Sequence, residues 1–311
     1  MKATSTVGAF RVRFGNGSSW LLPSKLLRLE IERYSSRGHP SSCKRESLRF
    51  AQARDLLQSL RASATGGPQG AFDESQQERA RQRLFNDIAP VYDQLNTTLS
   101  LGQHHVWKRM AVKWAGAKQG GMVLDICCGS GDLAFVLADA VGPTGKVTGL
   151  DFAQNMLDDA ERRQLSRPPI ARFSTEIAWV QGDAMDMPFA SCSFDAATMG
   201  YGLRNVARIP DALRELERVL KPGAKAAILD FNNAENGSLS DAAQAWMLDN
   251  VVVPVAGMYG LRDEYEYLRP SIKAFPTGAE LERLALEAGF EESRFYEIAF
   301  GLMGILVVRK H

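Results

Sequence analysis

The stretch Val123-Leu-Asp-Ile-Cys-Cys-Gly-Ser-Gly-Asp132 is an apolar strand that runs into a Gly-Ser-Gly turn flanked by carboxylates. Gly129 and Gly131, with the small Ala134 after them, let a backbone approach a ligand closely and a helix pack onto a strand, as in nucleotide-binding βαβ units. The charges narrow the ligand. Asp125 before the turn and Asp132 inside it repel a pyrophosphate, which a helix N-terminus would otherwise favour. S-adenosylmethionine has no phosphate, carries a positive sulfonium and ammonium, and offers a ribose diol to a carboxylate, so it fits better than a nicotinamide dinucleotide. Asp151 ends the next apolar run, Val147-Thr-Gly-Leu150, and lies 22 residues after Gly129. That is near the roughly 20-residue spacing of a ribose-binding acid.

From residue 122 onward, short β-rich runs alternate with helix-period segments, the pattern of a parallel sheet with helices on both faces. Strands are expected near Met122–Cys127, Lys146–Asp151, Glu176–Gln181, Phe194–Met199 and Ala224–Phe231. Apolar residues at helical spacing over Pro210–Leu220 predict a helix that stops before Lys221-Pro-Gly223. A helix around Gly278–Ala288 precedes two late strands, near Glu292–Ile298 and Leu302–Val308, which predict a hairpin-like ending and one antiparallel edge strand. The fold class is α/β, a doubly wound, mostly parallel Rossmann-like sheet.

Composition sets outer limits. With 311 residues, 45% hydrophobic and 23% charged, the chain has an ordinary globular composition. The formal charge of +1 conceals an asymmetry: residues 1–61 carry a net +8 and residues 62–311 a net −7. An acidic folded part argues against nucleic acid as a partner. The first 29 residues hold five basic and no acidic side chains among hydroxyl and small residues, the composition of an organelle transit peptide. Arg61-Ala-Ser-Ala-Thr-Gly-Gly-Pro-Gln-Gly70 reads as a flexible linker. Residues 1–72 are therefore expected to be transit peptide and linker, and 73–311 the folded domain. Cys43, Cys127, Cys128 and Cys192 have no spacing that binds zinc or builds a disulfide framework, and no metal site is expected.

Two additions take no part in forming the sheet and are candidates for binding substrate. One runs from Arg83 to Asn96 and on through Gly102-Gln-His-His-Val-Trp-Lys-Arg109. The other is an apolar helical cap over 241–275, rich in Trp246, Met247, Leu248, Val251, Val252, Val253 and Met258. Such a cap pads a core or closes over an apolar ligand. Its longest apolar run is interrupted by Pro254 and too short to cross a bilayer as a helix.

Taken together, these motifs resemble the UbiE-type ubiquinone/menaquinone C-methyltransferase family of class I S-adenosylmethionine-dependent methyltransferases. The resemblance runs from about Arg83 to Lys310. It rests on Tyr92-Asp93 with Asn96, the Gly102/His104/Trp107-Lys-Arg109 segment, the Val123–Asp132 stretch, Gly182-Asp-Ala184, Gly202-Leu-Arg-Asn205 and Arg218-Val-Leu-Lys-Pro-Gly223. Within the family, Met199–Asn205 and Trp246–Pro254 are most similar to its plant and algal chloroplast branch. That likeness implies demethylphylloquinol as acceptor and a chloroplast address, with the mitochondrial benzoquinol methyltransferases of ubiquinone synthesis as the alternative. A cofactor-binding scaffold without turnover is a third possibility. Position by position, the resemblance implies that Ser130 contacts the cofactor, that Asp151 binds its ribose, and that Asp183 with Ala184 meets its adenine. Where bacterial members have serine before the aromatic-Gly-Leu-Arg-Asn turn, this chain has Gly200, which leaves only backbone for a cofactor contact there.

Methylating an aromatic ring carbon needs electron density at that carbon, so the acceptor must be the quinol, at least partly deprotonated. The protein's task is then positioning and charge. Arg204 is expected to stabilise the naphtholate oxygen or orient a water that takes its proton; a guanidinium is not itself an ordinary base. His104 is the candidate base with a suitable titration range. Tyr92, Asn96, Tyr201 and Asn205 are the expected contacts to the substrate. The lipid substrate and apolar cap together imply peripheral contact with a quinone-containing membrane; nothing in the sequence sets the oligomeric state.

Overall fold

The structure is a computed structural model that describes residues 9–13, 19–23, 102–166, 175–234, 239–258 and 268–311. The N-terminal unit contributes one antiparallel hairpin, β1 (Ala9–Arg13) with β2 (Ser19–Pro23), registered Arg11 to Leu21. It lies inside the segment read as transit peptide, where no element was expected. An isolated two-stranded hairpin has little stability of its own.

The second unit is built on a seven-stranded sheet: β3 (Met122–Ile126), β4 (Lys146–Asp151), β5 (Glu176–Gln181), β6 (Phe194–Gly200), β7 (Leu220–Phe231), β8 (Phe290–Ile298) and β9 (Met303–Lys310). The spatial order is β5-β4-β3-β6-β7-β9-β8. Pairings from β5 to β7 are parallel, and β9 runs antiparallel to both β7 and β8. The doubly wound class and its antiparallel edge are as the alternating pattern predicted. The hairpin places the antiparallel strand one in from the rim, because β9 turns back to pair with β7 while β8 stays outside it.

Alternation along the strands sorts the core into two layers. Val123, Val147, Ala196 and Leu229 pack with helices α1 (Gln103–Trp114) and α2 (Asp132–Val141). Leu124, Ile126, Met199 and Ile228 face the other side, toward α4 (Ile209–Val219) and α8 (Gly278–Glu287), with α3 (Gln154–Ser166) lying between β4 and β5 in the chain. Strand order reverses at β3, so a crevice opens beyond the carboxyl ends of β3 and β6, where open α/β sheets bind ligands.

One boundary differs from expectation in an informative way. The helix yields directly to strand at Leu220, which pairs with Phe194, and Lys221-Pro-Gly223 is absorbed as a bulge inside β7 with Gly223 left-handed (φ 74°). A glycine takes that conformation without steric cost, so the helix stops before Lys-Pro-Gly as expected while the strand begins earlier than expected and carries the motif as an irregularity. Among the described residues, the segment expected to form a cap contains α5 (Leu239–Met247), a π-helical turn (Leu248–Val252), α6 (Val253–Met258) and α7 (Leu268–Ala274). Buried Gln244 anchors it, donating to Asn232 O at 2.8 Å just beyond β7. No described helix is long and apolar enough to cross a membrane.

Candidate active site

Four strand ends converge at the crevice. After β3 the chain enters the turn through Cys127 in the left-handed region (φ 53°), and Gly129 (φ 53°) and Gly131 (φ 89°) follow in the same region. After β6, Tyr201 is also left-handed (φ 59°). The two turns touch: a Cβ on Gly202 would fall 2.4 Å from Cys127 Cβ, so only glycine fits there. Clustering of such backbone conformations is a mark of functional sites.

Asp125 is wholly buried on β3. Its Oδ1 accepts from Thr198 Oγ1 at 2.8 Å, across the register that pairs the two residues, while its Oδ2 has no partner. Burial pushes its carboxyl up to about 7, against the opposing pull of Thr198, the Ala134 backbone and the Lys108 charge. Asp151, at the end of β4, accepts from Gly129 N–H at 2.8 Å and Ala153 N–H at 2.9 Å; burial raises its carboxyl despite these bonds. It therefore ties the glycine turn to the neighbouring strand, and each oxygen keeps acceptor capacity for a ligand hydroxyl. Asp183 is exposed on its own turn, accepting from Met185 N–H at 2.8 Å, and Ala184 beside it is buried. A Cβ on Gly200 would meet Leu133 Cδ1 at 2.5 Å.

Two expectations change. Asp132 was read as an uncompensated negative charge in the turn, yet it is paired with both Lys108 and Arg163, the latter at 2.6 Å. Burial alone would raise its carboxyl, but the two cations outweigh it and hold the group well below the usual carboxylate range. The repulsion of a phosphate ascribed to Asp132 is thereby cancelled, and the case for a cationic cofactor falls to Asp125 and Asp151. His104 was the candidate base. It is buried on α1, and desolvation first, then the charges of Lys108 and His105, lower it to about 4, with Asp132 opposing. Its burial and the neighbouring cations favour the neutral imidazole and weaken it as a base.

Arg204 sits in a short 3-10 turn (Leu203–Asn205), its side chain 8% exposed. Asp230 Oδ2 accepts the Arg204 backbone N–H at 3.1 Å and Oδ1 lies 3.4 Å from Nε; Nη1 donates to Ser271 Oγ of α7 at 3.0 Å. The guanidinium carbon lies 5.3 Å from the Phe231 ring centroid. Asp230 is buried, and desolvation raises its carboxyl although Arg204 pulls it down. Tyr201 packs near the same ring, with centroids 6.1 Å apart, and Asn205 Nδ2 donates to Tyr201 O at 3.2 Å. The structure thus brings Arg204, Tyr201 and Asn205 onto one turn, facing the end of β7 and the cap. Tyr92 and Asn96 lie outside the described residues.

Sequence reasoning missed Asp230, Thr198, Lys108 and Arg163. Asp230 had a usable signal, an acid at the carboxyl end of a parallel strand, the same signal that identified Asp151. The others act through partners 24 to 73 positions away and leave no local trace.

The residues fit S-adenosylmethionine. Asp125 presents a buried carboxylate oxygen without a partner, Asp151 closes the adjacent strand, and the two glycines of the turn between them allow close backbone approach. Among solved structures, a SAM dependent methyltransferase from Aquifex aeolicus shares the fold with a TM-score of 0.50 at 18% identity, over 70% of this chain and 98% of that one. The Arabidopsis thaliana protein named 2-phytyl-1,4-beta-naphthoquinone methyltransferase, chloroplastic, is 58% identical over 231 residues, covering 74% of this chain and 87% of that protein. The 2-phytyl-1,4-naphtoquinone methyltransferase of Nostoc sp. (strain PCC 7120 / SAG 25.82 / UTEX 2576) is 53% identical over 73% of this chain and 97% of its own length. With residues 73–310 matching the model of the ubiE/COQ5 methyltransferase family, the chain belongs to that family and is an S-adenosylmethionine-dependent methyltransferase.

Proposed function

We propose that this chain methylates a ring carbon of a prenylated naphthoquinol, converting demethylphylloquinol to phylloquinol. The observation that carries the substrate assignment is the likeness, over nearly the whole methyltransferase domain, to relatives named for that reaction. When bound, S-adenosylmethionine supplies an electrophilic methyl group on a sulfonium.

The chain's own residues provide the rest. Asp125 and Asp151 offer carboxylate oxygens to the cofactor's polar groups, and the glycine turn keeps side chains out of its way. Arg204 has a fixed positive charge, oriented by Asp230 and Ser271, which lowers the cost of placing a naphtholate oxygen nearby. That oxygen's electron density makes the adjacent ring carbon nucleophilic. After the new carbon–carbon bond forms, the ring proton is lost and aromaticity returns, so the net release is one proton. Tyr201, Asn205, Tyr92 and Asn96 are assigned to the substrate side, Ser130, Asp183, Ala184 and Gly200 to the cofactor side.

Residues 1–72 are assigned to chloroplast targeting and a linker, and 241–275 to a cap over the acceptor. Peripheral membrane contact is also proposed. It is supported by Phe300, whose side chain is 97% exposed on a turn where Ala299, Phe300 and Gly301 are all left-handed (φ 52°, 59° and 82°). That turn is fastened to the end of β7 by Asn232, which donates to Gly301 O at 2.9 Å.

The test is methyl transfer from labelled S-adenosylmethionine by the full chain, offered demethylphylloquinone and a demethylated ubiquinone precursor in parallel, each with and without reductant. Reductant-dependent labelling of the naphthoquinone alone is the expected result. Labelling of the benzoquinone alone would overturn the substrate assignment.

A further inference from the structure

A partly buried polar cluster stands behind the glycine turn and takes no part in the chemistry above. Asp132, the first residue of α2, accepts from Lys108 Nζ at 2.5 Å through Oδ2 and from Arg163 Nη2 at 2.6 Å through Oδ1. Lys108 comes from α1 and Arg163 from α3, so three helices meet at one carboxylate. Arg163 also reaches into the turn itself, donating through Nη1 to Ser130 O at 2.8 Å and Ser130 Oγ at 2.6 Å. A chain of charged contacts therefore runs from Lys108 through Asp132 and Arg163 to the residue between Gly129 and Gly131.

Within the turn, Gly131 N–H donates to Cys128 O at 2.9 Å, and side-chain contacts from outside supplement that bond. Left-handed glycines are the residues with most freedom to leave that conformation, so the surroundings help the turn to hold its shape. From the Asp151 side the turn is fixed through Gly129 N–H; from the opposite side it is fixed by Arg163. Arg163 is one-third exposed and is aimed at the turn by Asp132 together with its stacking over Phe135, and Lys108, 8% exposed, supplies the second cation that balances Asp132. The Lys108 charge also acts on Asp125, whose unpaired oxygen faces the same region.

We propose that Lys108 is a positioning residue for the cofactor: through Asp132 and Arg163 it holds the Gly129–Gly131 turn in its ligand-accepting shape while touching no ligand itself. The proposal requires a cofactor at the turn and is independent of the identity of the methyl acceptor.

The test measures binding of S-adenosylhomocysteine to the full chain by calorimetry, alongside KM for S-adenosylmethionine and kcat. Lys108→Met keeps the buried stem and deletes the charge. Its expected signature is affinity reduced by roughly 10- to 100-fold, the range found when residues supporting a ligand-binding group are removed from metal sites. The loss should appear in KM for S-adenosylmethionine far more than in kcat. Lys108→Arg should recover most of the affinity. Arg163→Met, changed from the more exposed side, should reproduce the signature, and combining it with Lys108→Met should add much less than the sum of the two, because both act through one carboxylate. A merely structural lysine would lower the melting temperature without this KM-specific pattern or its rescue. Wild-type affinity in a folded Lys108→Met protein, or a loss that Arg163→Met does not share, would overturn the proposal. If Lys108→Met does not fold, Asp132→Asn and Arg163→Met decide it by the same binding measurement.

Discussion

Asp230 holds Arg204 at two points, accepting its backbone N–H through one carboxylate oxygen and lying within ion-pair distance of its Nε through the other. One acid at the end of β7 thus sets both the path of the Leu203–Asn205 turn and the direction of the Arg204 guanidinium.

Asp230→Asn keeps the shape and much of the hydrogen bonding but leaves a buried cation without its counter-charge. Removing one partner of a buried ion pair costs about 3–5 kcal/mol. Asn should therefore lower stability measurably and reduce kcat by about 100-fold, roughly 2.7 kcal/mol of transition-state stabilisation. S-adenosylhomocysteine affinity should stay near wild type. Urea unfolding, calorimetry and steady-state kinetics on one preparation separate these effects; a variant with wild-type kcat would remove the pair from the mechanism.

Two buried groups impose opposite pH dependences on the ligand-free protein. Asp125 titrates near 3.8 unfolded and about 7 folded, so its contribution to stability is complete below the lower value and is lost as pH rises through the upper. His104 titrates near 6.5 unfolded and about 4 folded, so its contribution is present above 6.5 and lost as pH falls toward 4. Between pH 4 and 6.5 these two slopes oppose each other, while Asp151 and Asp230, also raised by burial, add to the fall. Asp125→Asn should remove its share of the fall, so that the change in stability from pH 4 to 6.5 becomes more positive than in the unmutated protein by up to about 3 kcal/mol. His104→Gln should make that change more negative by a similar amount. Urea midpoints at pH 4.5 and 6.5 test this, and unchanged profile shapes in both variants would refute it.

Gly202 and Cys127 form a steric pair where the turns after β3 and β6 meet. Gly202→Ala places a methyl 2.4 Å from Cys127 Cβ and 2.8 Å from its sulfur. Overpacking of this kind costs about 1–3 kcal/mol. Adding Cys127→Gly removes both clashing atoms and relieves a left-handed non-glycine residue. The double variant should melt nearer to wild type than Gly202→Ala alone; a further fall in melting temperature would contradict the pairing.

Phe300 should matter at a lipid surface and not at the reacting atoms. Fully burying such a side chain contributes about 1.5–3 kcal/mol, so Phe300→Ser should weaken partition onto 4:1 phosphatidylcholine:phosphatidylglycerol vesicles by roughly 10-fold or more. Turnover of a short-chain, water-soluble quinol should be retained. Equal sedimentation of variant and wild type would dismiss the membrane role of this residue.

Local pattern made the sheet legible. Lys146–Asp151 and Glu176–Gln181 coincide with their strands because β-rich runs bounded by turns encode extended backbone directly. The acids Asp125 and Asp151 were found from their places at strand ends. Charge compensation was not visible: Asp132 looks solitary in sequence because Lys108 precedes it by 24 residues and Arg163 follows by 31. His104 shows the same limit, since its unperturbed titration range gives no hint of a buried, cation-flanked position. Lys221-Pro-Gly223 marked the end of the preceding helix but not the start of β7, because one left-handed glycine can bend a strand as well as end one.

The insertion of β9 between β7 and β8 has a consequence for the order of assembly. Asp230 is backed on one side by Gly304, and Phe231 by Met303, residues that follow them by more than 70 positions. A chain still emerging from a ribosome or a translocation pore can complete its cofactor turn early. It cannot brace the strand that carries Asp230, nor give β8 its sheet neighbour, until β9 has been threaded into the gap. The strand that completes the support of Arg204 is thus the last part of the sheet to be synthesised, long after the residues that surround the glycine turn.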